Sequence, residues 1–280
     1  VTLVKTLVNG IGYDVKDAES IMSVISTWGL KLNMIIASIG TGVIVSLVPN
    51  LTSSFVSKDK KDVDHKINQT FQVLLYLTIP MTVGLSLLAK PVWMIFYGAS
   101  EYGASTFCYF VFVALVLCLF TAAITIIQVL KYYKEVFISL FSGFILKIIL
   151  NVPLIYGFHK MGLPAYYGAI TASILGYLLS LVICLVCLNR KYGVHYENTI
   201  KQFVNIVGAT LVMAIVILLL QYVLPTVSSN RLMNIPIVIM YTAIGATIYL
   251  LLTMKSKTLQ TVFGAEVINK VLVRFKKKKK

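Results

Sequence analysis

Acidic side chains are scarce in this 280-residue sequence, ten Asp and Glu against 25 Lys and Arg, and none of the ten lies inside a long apolar stretch. The intramembrane carboxylates that a site for a cationic cargo would rest on are therefore missing. Charged residues of both signs make up only 12% of the chain, where a soluble domain carries roughly a quarter. With 58% hydrophobic residues and a mean hydropathy of +0.88, that deficit argues against a soluble globular protein. Cysteine is also sparse. Cys108, Cys118, Cys184 and Cys187 all fall in apolar stretches as small packing residues. Cys184-x-x-Cys187 has no second pair and no histidine neighbours to complete a metal or redox site. His65, His159 and His195 lie in loops on different sides, so no shared metal centre is expected. A Walker loop, an HExxH motif and a glycine-rich dinucleotide turn are absent, which leaves no catalytic motif and no cofactor expected.

What is present is a series of apolar runs long enough to cross a bilayer, which takes roughly 20 residues each. Seven are expected: Trp28–Pro49, Phe71–Leu88, Phe107–Leu130, Val136–Ile155, Ala169–Leu188, Phe203–Leu224 and Ile235–Leu252. The runs are continuous rather than alternating, which excludes a β-barrel and makes the chain an all-α integral membrane protein of about seven transmembrane helices. Eighteen basic residues, among them Lys58, Lys61, Lys66, Lys131, Arg190, Lys201 and Lys255, fall in the first, third and fifth connections and the tail. Five, Lys5, Lys16, Lys90, Lys160 and Arg231, fall on the other side. The positive-inside bias then puts the amino end outside and the carboxyl end in the cytoplasm. The net charge of +15 has this topological cause, so nucleic acid is not an expected partner. In the tail, Leu259, Val262, Phe263, Val267, Val271 and Phe275 recur at helical spacing before Lys276–Lys280. This pattern reads either as a surface helix on anionic lipid headgroups, each Lys contributing about 1 kcal/mol, or as a solvated tail. The chain begins at Val1 with no initiator Met and no signal peptide, and is expected to be the carboxyl-terminal portion of a longer protein.

Two ionisable groups lie inside spans, Lys31 and Lys147, each on an organised face. Lys31, Ser38, Gly42 and Ser46 share one stripe of the first span; Ser139, Gly143, Lys147 and Asn151 share one of the fourth. Cys118, Thr121, Thr125 and Gln128 make a weaker stripe on the third. These are candidate cavity faces, although small residues at such spacings also serve close helix packing, and Lys31 could reach the interface by snorkelling. The fifth-span stripe Ala169, Ala172, Gly176, Ser180 reads as packing alone. The sixth and seventh spans are nearly free of polar side chains mid-membrane and read as an appended, lipid-facing pair. Seven spans with an external amino end also match the receptor topology, but the basic and acidic signature after the third span is missing.

The punctuation of the chain resembles a known family. Thr41-Gly-Val-Ile-Val-Ser-Leu-Val-Pro49-Asn-Leu-Thr ends a helix and enters a basic loop. It is followed in order by Leu77-Thr-Ile-Pro80-Met-Thr-Val-Gly84, Ala89-Lys-Pro91-Val-Trp-Met-Ile-Phe-Tyr-Gly98, Lys147-Ile-Ile-Leu-Asn151-Val-Pro and Tyr167-Gly168-Ala-Ile-Thr-Ala172-Ser. Nearly the whole chain is thus similar to the carboxyl half of the polysaccharide-biosynthesis and lipid II flippases, in the superfamily of multidrug and oligosaccharidyl-lipid exporters. The resemblance implies helices eight to fourteen of a fourteen-helix, two-lobe transporter that moves an undecaprenyl-pyrophosphate-linked cell-wall or polysaccharide precursor across the bacterial cytoplasmic membrane by alternating access. It implies no enzymatic step, and a partner in the missing amino-terminal lobe. The parts would be 1–27, an external segment with the stub of a preceding helix; 28–188, five helices of the transport lobe; 189–202, a cytoplasmic linker; 203–252, the appended pair; and 253–280, the basic tail. A cationic cavity for the pyrophosphate and a tail groove along the last two helices are also implied, with Lys31, Lys147, Asn151 and Gln128 as candidate substrate contacts. Relatives that couple to sodium use an acid on the eleventh helix, and the matching stretch here has none. Two rivals stay open: a drug or cation antiporter of the same fold, which the lack of membrane acids disfavours, and a polyprenyl-phosphate transferase, whose metal-binding acids could come only from the cluster Asp59, Asp62, Asp64.

In a cysteine-free background, a single cysteine in the Arg231 loop should react with an impermeant maleimide added outside intact cells, and one between Lys58 and Lys66 should not. The reverse pattern would invert the topology.

Overall fold

The computed structural model describes residues 2–264, which are helical and contain no strand. A short helix, α1 (Thr2–Lys5), runs on as a π-helical turn, Thr6–Ile11, and stops at Gly12, whose φ of 92° suits glycine. Asp14 then caps α2 (Val15–Ser23) by accepting from the Lys16 amide, 3.2 Å away. Through a second π-helical turn, Val24–Trp28, α2 continues directly into α3 (Gly29–Val56), a single 42-residue helix from Val15 to Val56. Residues 15–27, expected as an external segment, are helical and continuous with the helix of the first span. Ala18, Ile21 and Val24 recur on one face and are buried, which draws this stretch onto the bundle.

The other elements are α4 (Lys60–Leu87), α5 (Ala89–Tyr97), α6 (Gly103–Val129), α7 (Tyr133–Lys160), α8 (Tyr166–Cys187), α9 (Glu197–Val223), α10 (Asn234–Lys255) and α11 (Thr258–Phe263). Seven helices among the described residues are long and apolar enough to cross a membrane. Each starts before its apolar run, and the first, fourth, fifth and seventh also continue past its end, because a helix can continue into polar residues once it leaves the hydrocarbon. The helix expected to end near Pro49 continues to Val56. Around the proline, side chains serve the backbone: Asn50 Nδ2 donates to the Ser46 carbonyl at 3.1 Å, and Ser54 Oγ and Lys66 Nζ donate to the Asn50 carbonyl at 3.0 and 3.1 Å. The expected linker 189–202 is mostly helical too. A π-helical turn, Leu188–Tyr192, extends α8, and α9 starts at Glu197.

α6 is the centre of the bundle, packed on α3, α4 and α8. Gly40 lets α3 approach Cys118 of α6 so closely that an added Cβ would overlap the sulfur. α7 lies along α8 in close backbone approach. A Cβ at Gly143 would strike Ser180 Oγ and the Gly176 carbonyl, and Ser180 Oγ donates to the Ser139 carbonyl at 2.8 Å. The rest of α7 is an exposed apolar surface that includes Phe137, Phe141, Phe144 and Ile148.

α9 packs on α4, and α10 on α9 and α5. The pair is stapled to α4 rather than loosely appended. Near the basic loops, Thr199 Oγ1 donates to Asn68 Oδ1 at 2.7 Å and Gln72 Nε2 donates to Thr199 at 3.3 Å. At the opposite end, Gln221 Nε2 donates to the Leu87 carbonyl at 3.2 Å, and Arg231 donates to the Ile95 and Phe96 carbonyls, capping α5. In the tail, Val262 is buried and Phe263 stands edge-on to Tyr76 at 5.4 Å, so α11 is part of the packed body. The tail residues Val267, Val271, Phe275 and Lys276–Lys280 lie outside the described residues.

Gly143→Leu should separate α7 from α8 and lower the unfolding free energy in detergent by about 1–3 kcal/mol, the usual cost of overpacking. Gly42→Ala, whose Cβ meets nothing within 4 Å, should leave the midpoint unchanged or raise it.

Candidate functional site

An apolar cavity of about 420 Å³ lies between α4, α9 and α10. Leu77, Met81 and Leu85 line it from α4, Met213 and Ile217 from α9, and Val238 from α10. Gly84, where a Cβ would meet nothing, and Gly245, packed on Ile217, keep its walls free of bulk. Three tyrosines border it, yet it stays apolar because their hydroxyls are spent on the protein. Tyr76 Oη pairs with Thr253 Oγ1 at 2.9 Å, and Tyr249 Oη donates to the Tyr76 carbonyl at 2.8 Å. Tyr241 Oη points at the last carbonyls of α9, 3.5 Å from Leu220 and 3.4 Å from Leu224. Only the ring bodies face the space.

On its α3 side the cavity is lined by Ile35, which stands one turn from Lys31 on the same helical face. That face continues through Ser38, Gly42 and Ser46, all exposed, with the two serines donating to carbonyls of their own helix. A cationic, weakly polar stripe therefore adjoins an apolar cavity. Lys31 Nζ sits 4.7 Å over the Trp28 ring. Trp28 in turn meets Tyr97 edge-on at 5.1 Å, and Tyr97 Oη donates to the Trp28 carbonyl at 3.0 Å, within the π-helical turn. Burial pushes the Tyr97 phenol up from its ordinary range, so it remains a neutral donor.

The four candidate contacts do not form one cluster. Lys31 lies on α3, one turn from the cavity-lining Ile35, and α3 packs on α4 and α6, whereas Lys147 and Asn151 lie on α7, which packs on α8. Lys147 is half-buried, with its Cβ close to Gly176 of α8, so the face expected to line a cavity is in large part the α7–α8 seam. Asn151 Oδ1 is buried without a partner, and Lys147 has no hydrogen bond or ion pair among the described residues. The Asn151 amide and the Lys147 ammonium are therefore not bonded to each other. Gln128 is exposed near the end of α6, beyond Thr121 and Thr125, whose hydroxyls bond to carbonyls of their own helix.

Sequence reasoning missed two arrangements. Tyr76, Tyr249 and Thr253 meet across the chain, and the local signal was Pro80, which leaves the carbonyl four residues before it without a donor. A polar cleft of about 340 Å³ brings together Asp64, His65, His195, Glu197 and Asn198. His65 and His195, placed in separate loops, share this cleft, although no group of three or more His, Cys, Asp or Glu suited to a metal occurs among the described residues.

A family model described as Lipid II flippase MurJ matches residues 26–238. The Lipid II flippase MurJ of Bacillus subtilis (strain 168) is 32% identical over 254 residues, covering 88% of this chain and 46% of that protein. A solved structure of Lipid II flippase MurJ in an inward closed conformation superposes with a TM-score of 0.58 at 19% identity, over 88% of this chain and 54% of that one. The chain thus spans about half the length of the relatives that it matches.

Proposed function

The chain belongs to the lipid II flippase MurJ family, and on that premise we propose that it forms the carboxyl half of a flippase for an undecaprenyl-pyrophosphate-linked cell-wall precursor. The observation that carries this reading is the junction at Ile35, where the Lys31 face meets the apolar cavity. A ligand with a dianionic head and a long isoprenoid tail has the same two-part character. Its tail would lie between α4, α9 and α10, and its pyrophosphate would meet Lys31.

The two halves of the site contribute differently. Moving an isoprenoid from lipid into an apolar cavity gains little, because acyl chains are as apolar as Leu or Met. The groove therefore supplies registry, holding the head group at a fixed height on α3. Affinity and selectivity come from the cation, whose charge-assisted contacts strengthen as water is excluded. Lys147, Asn151 and Gln128 serve in this reading as further contacts along the head group's route. An ammonium without a protein partner and a buried, unpaired amide oxygen are consistent with that role. The missing lobe would cover the exposed α3 stripe, and rocking of the two lobes would expose the site to each side in turn. The basic end is cytoplasmic and the amino end external, in line with the charge bias. No substrate bond is broken. The tail's lysines would rest on anionic lipids.

In reconstituted full-length protein, Lys31→Met should lower flipping at least about tenfold, the loss expected when one charged hydrogen bond is removed. The protein should still insert and accumulate. Lys31→Arg should keep partial activity, since the charge survives in altered geometry. A Met variant that flips at the wild-type rate would overturn the assignment of Lys31.

A further inference from the structure

Three spanning helices carry interior prolines, Pro49 in α3, Pro80 in α4 and Pro153 in α7. Each lacks an N–H and so frees the carbonyl four residues earlier, that of Val45, Tyr76 or Ile149. Val45 and Ile149 belong to exposed helix faces, 65% and 61% accessible, and among the described residues no side chain reaches their carbonyls. Tyr76 is different, being 3% accessible, and its carbonyl is taken by the Tyr249 hydroxyl of α10 at 2.8 Å.

We propose that Tyr249 is a positioning residue: by supplying the donor that Pro80 cannot, it fixes α4 against α10 at the proline and so sets the width of the cavity between them. The tie is double. Thr253 Oγ1 gives its proton to the Tyr249 carbonyl at 2.9 Å, which leaves it an acceptor for Tyr76 Oη, also at 2.9 Å. Tyr76 is thus held by its backbone and by its side chain at two successive turns of one helix, with the Tyr76 and Tyr249 rings 5.1 Å apart. Pro80, Met81 and Gly84, at and beyond the proline, and Gly245 and Ala246 on α10 are cavity walls, so any shift of α4 there changes the opening directly. No water can replace the lost donor in a hydrocarbon setting, which makes the interaction costly to break. The width rests on geometry alone; its consequence for ligands rests on the reading of the cavity as a tail site.

The test compares Tyr249→Phe, which keeps the ring and removes only the hydroxyl, with the pair Pro80→Ala/Tyr249→Phe, in which the restored N–H can serve the Tyr76 carbonyl. Full-length protein in nanodiscs would carry spin labels at Lys90, at the start of α5 beyond Pro80, and at Thr247 on α10. Tyr249→Phe should broaden the label distance distribution and raise the undecaprenyl diphosphate concentration for half-maximal binding about fivefold, on the scale of one buried hydrogen bond. Adding Pro80→Ala should restore both. Wild-type behaviour of Tyr249→Phe, or a double variant no better than the single one, would overturn the proposal. Distances that respond as expected in a protein that does not bind the diphosphate would leave the positioning role standing and remove the tail-site reading.

Discussion

A buried backbone carbonyl without a donor is costly, and Pro80 creates one at Tyr76, in the packed middle of α4. The hydroxyl of Tyr249 takes that carbonyl and ties α10 to α4. Once α10 is fixed there, α9 is fixed between it and α4, with Gln72, Thr199 and Gln221 closing the polar links at either end. The cavity is what these contacts leave open. Its apolar character follows from the same bonds, since each bordering tyrosine has its one polar atom engaged by the protein.

The opposite flank is built on a different physical basis. α7 and α8 meet through Gly143, Gly176 and Ser180, where close backbone approach replaces the hydrophobic effect that lipid does not supply. This half of the molecule carries Lys147 and Asn151, and the other carries Lys31 and the cavity. The cationic side chains are thereby spread over two faces. No acid lies in any of the seven apolar runs, and neither Lys31 nor Lys147 has an ion pair among the described residues.

The spans were legible because lipid demands apolar side chains, and seven runs satisfied that demand without help from tertiary structure. Their ends were not, because that demand stops at the headgroups: α4 begins at Lys60, well before the apolar run at Phe71, and α3 is already helical at Val15 through its second π-helical turn. The family could be read from the order of Pro, Gly and Lys punctuation from Pro49 to Gly168. The site could be read only in fragments. Lys31 was visible as an ionisable group on a striped face, but its neighbour Ile35 became informative only when α10 closed the cavity beside it. For Lys147 the same stripe that suggested a cavity turned out to hold α8, since glycine and serine at that spacing serve both purposes. Tyr249 pairs with a residue 173 positions away, a separation that no periodicity records.

In the proposed function one ligand occupies the cavity and the Lys31 face together. A polyprenyl diphosphate with a photoreactive tail, bound to full-length protein and mapped by peptide sequencing, would test it directly. Labels should collect on the cavity faces of α4, α9 and α10, around Met81, Met213 and Val238, and should fade when the lipid is offered as the uncharged alcohol. Equal labelling of the exposed α7 surface, or labelling indifferent to the diphosphate, would contradict it.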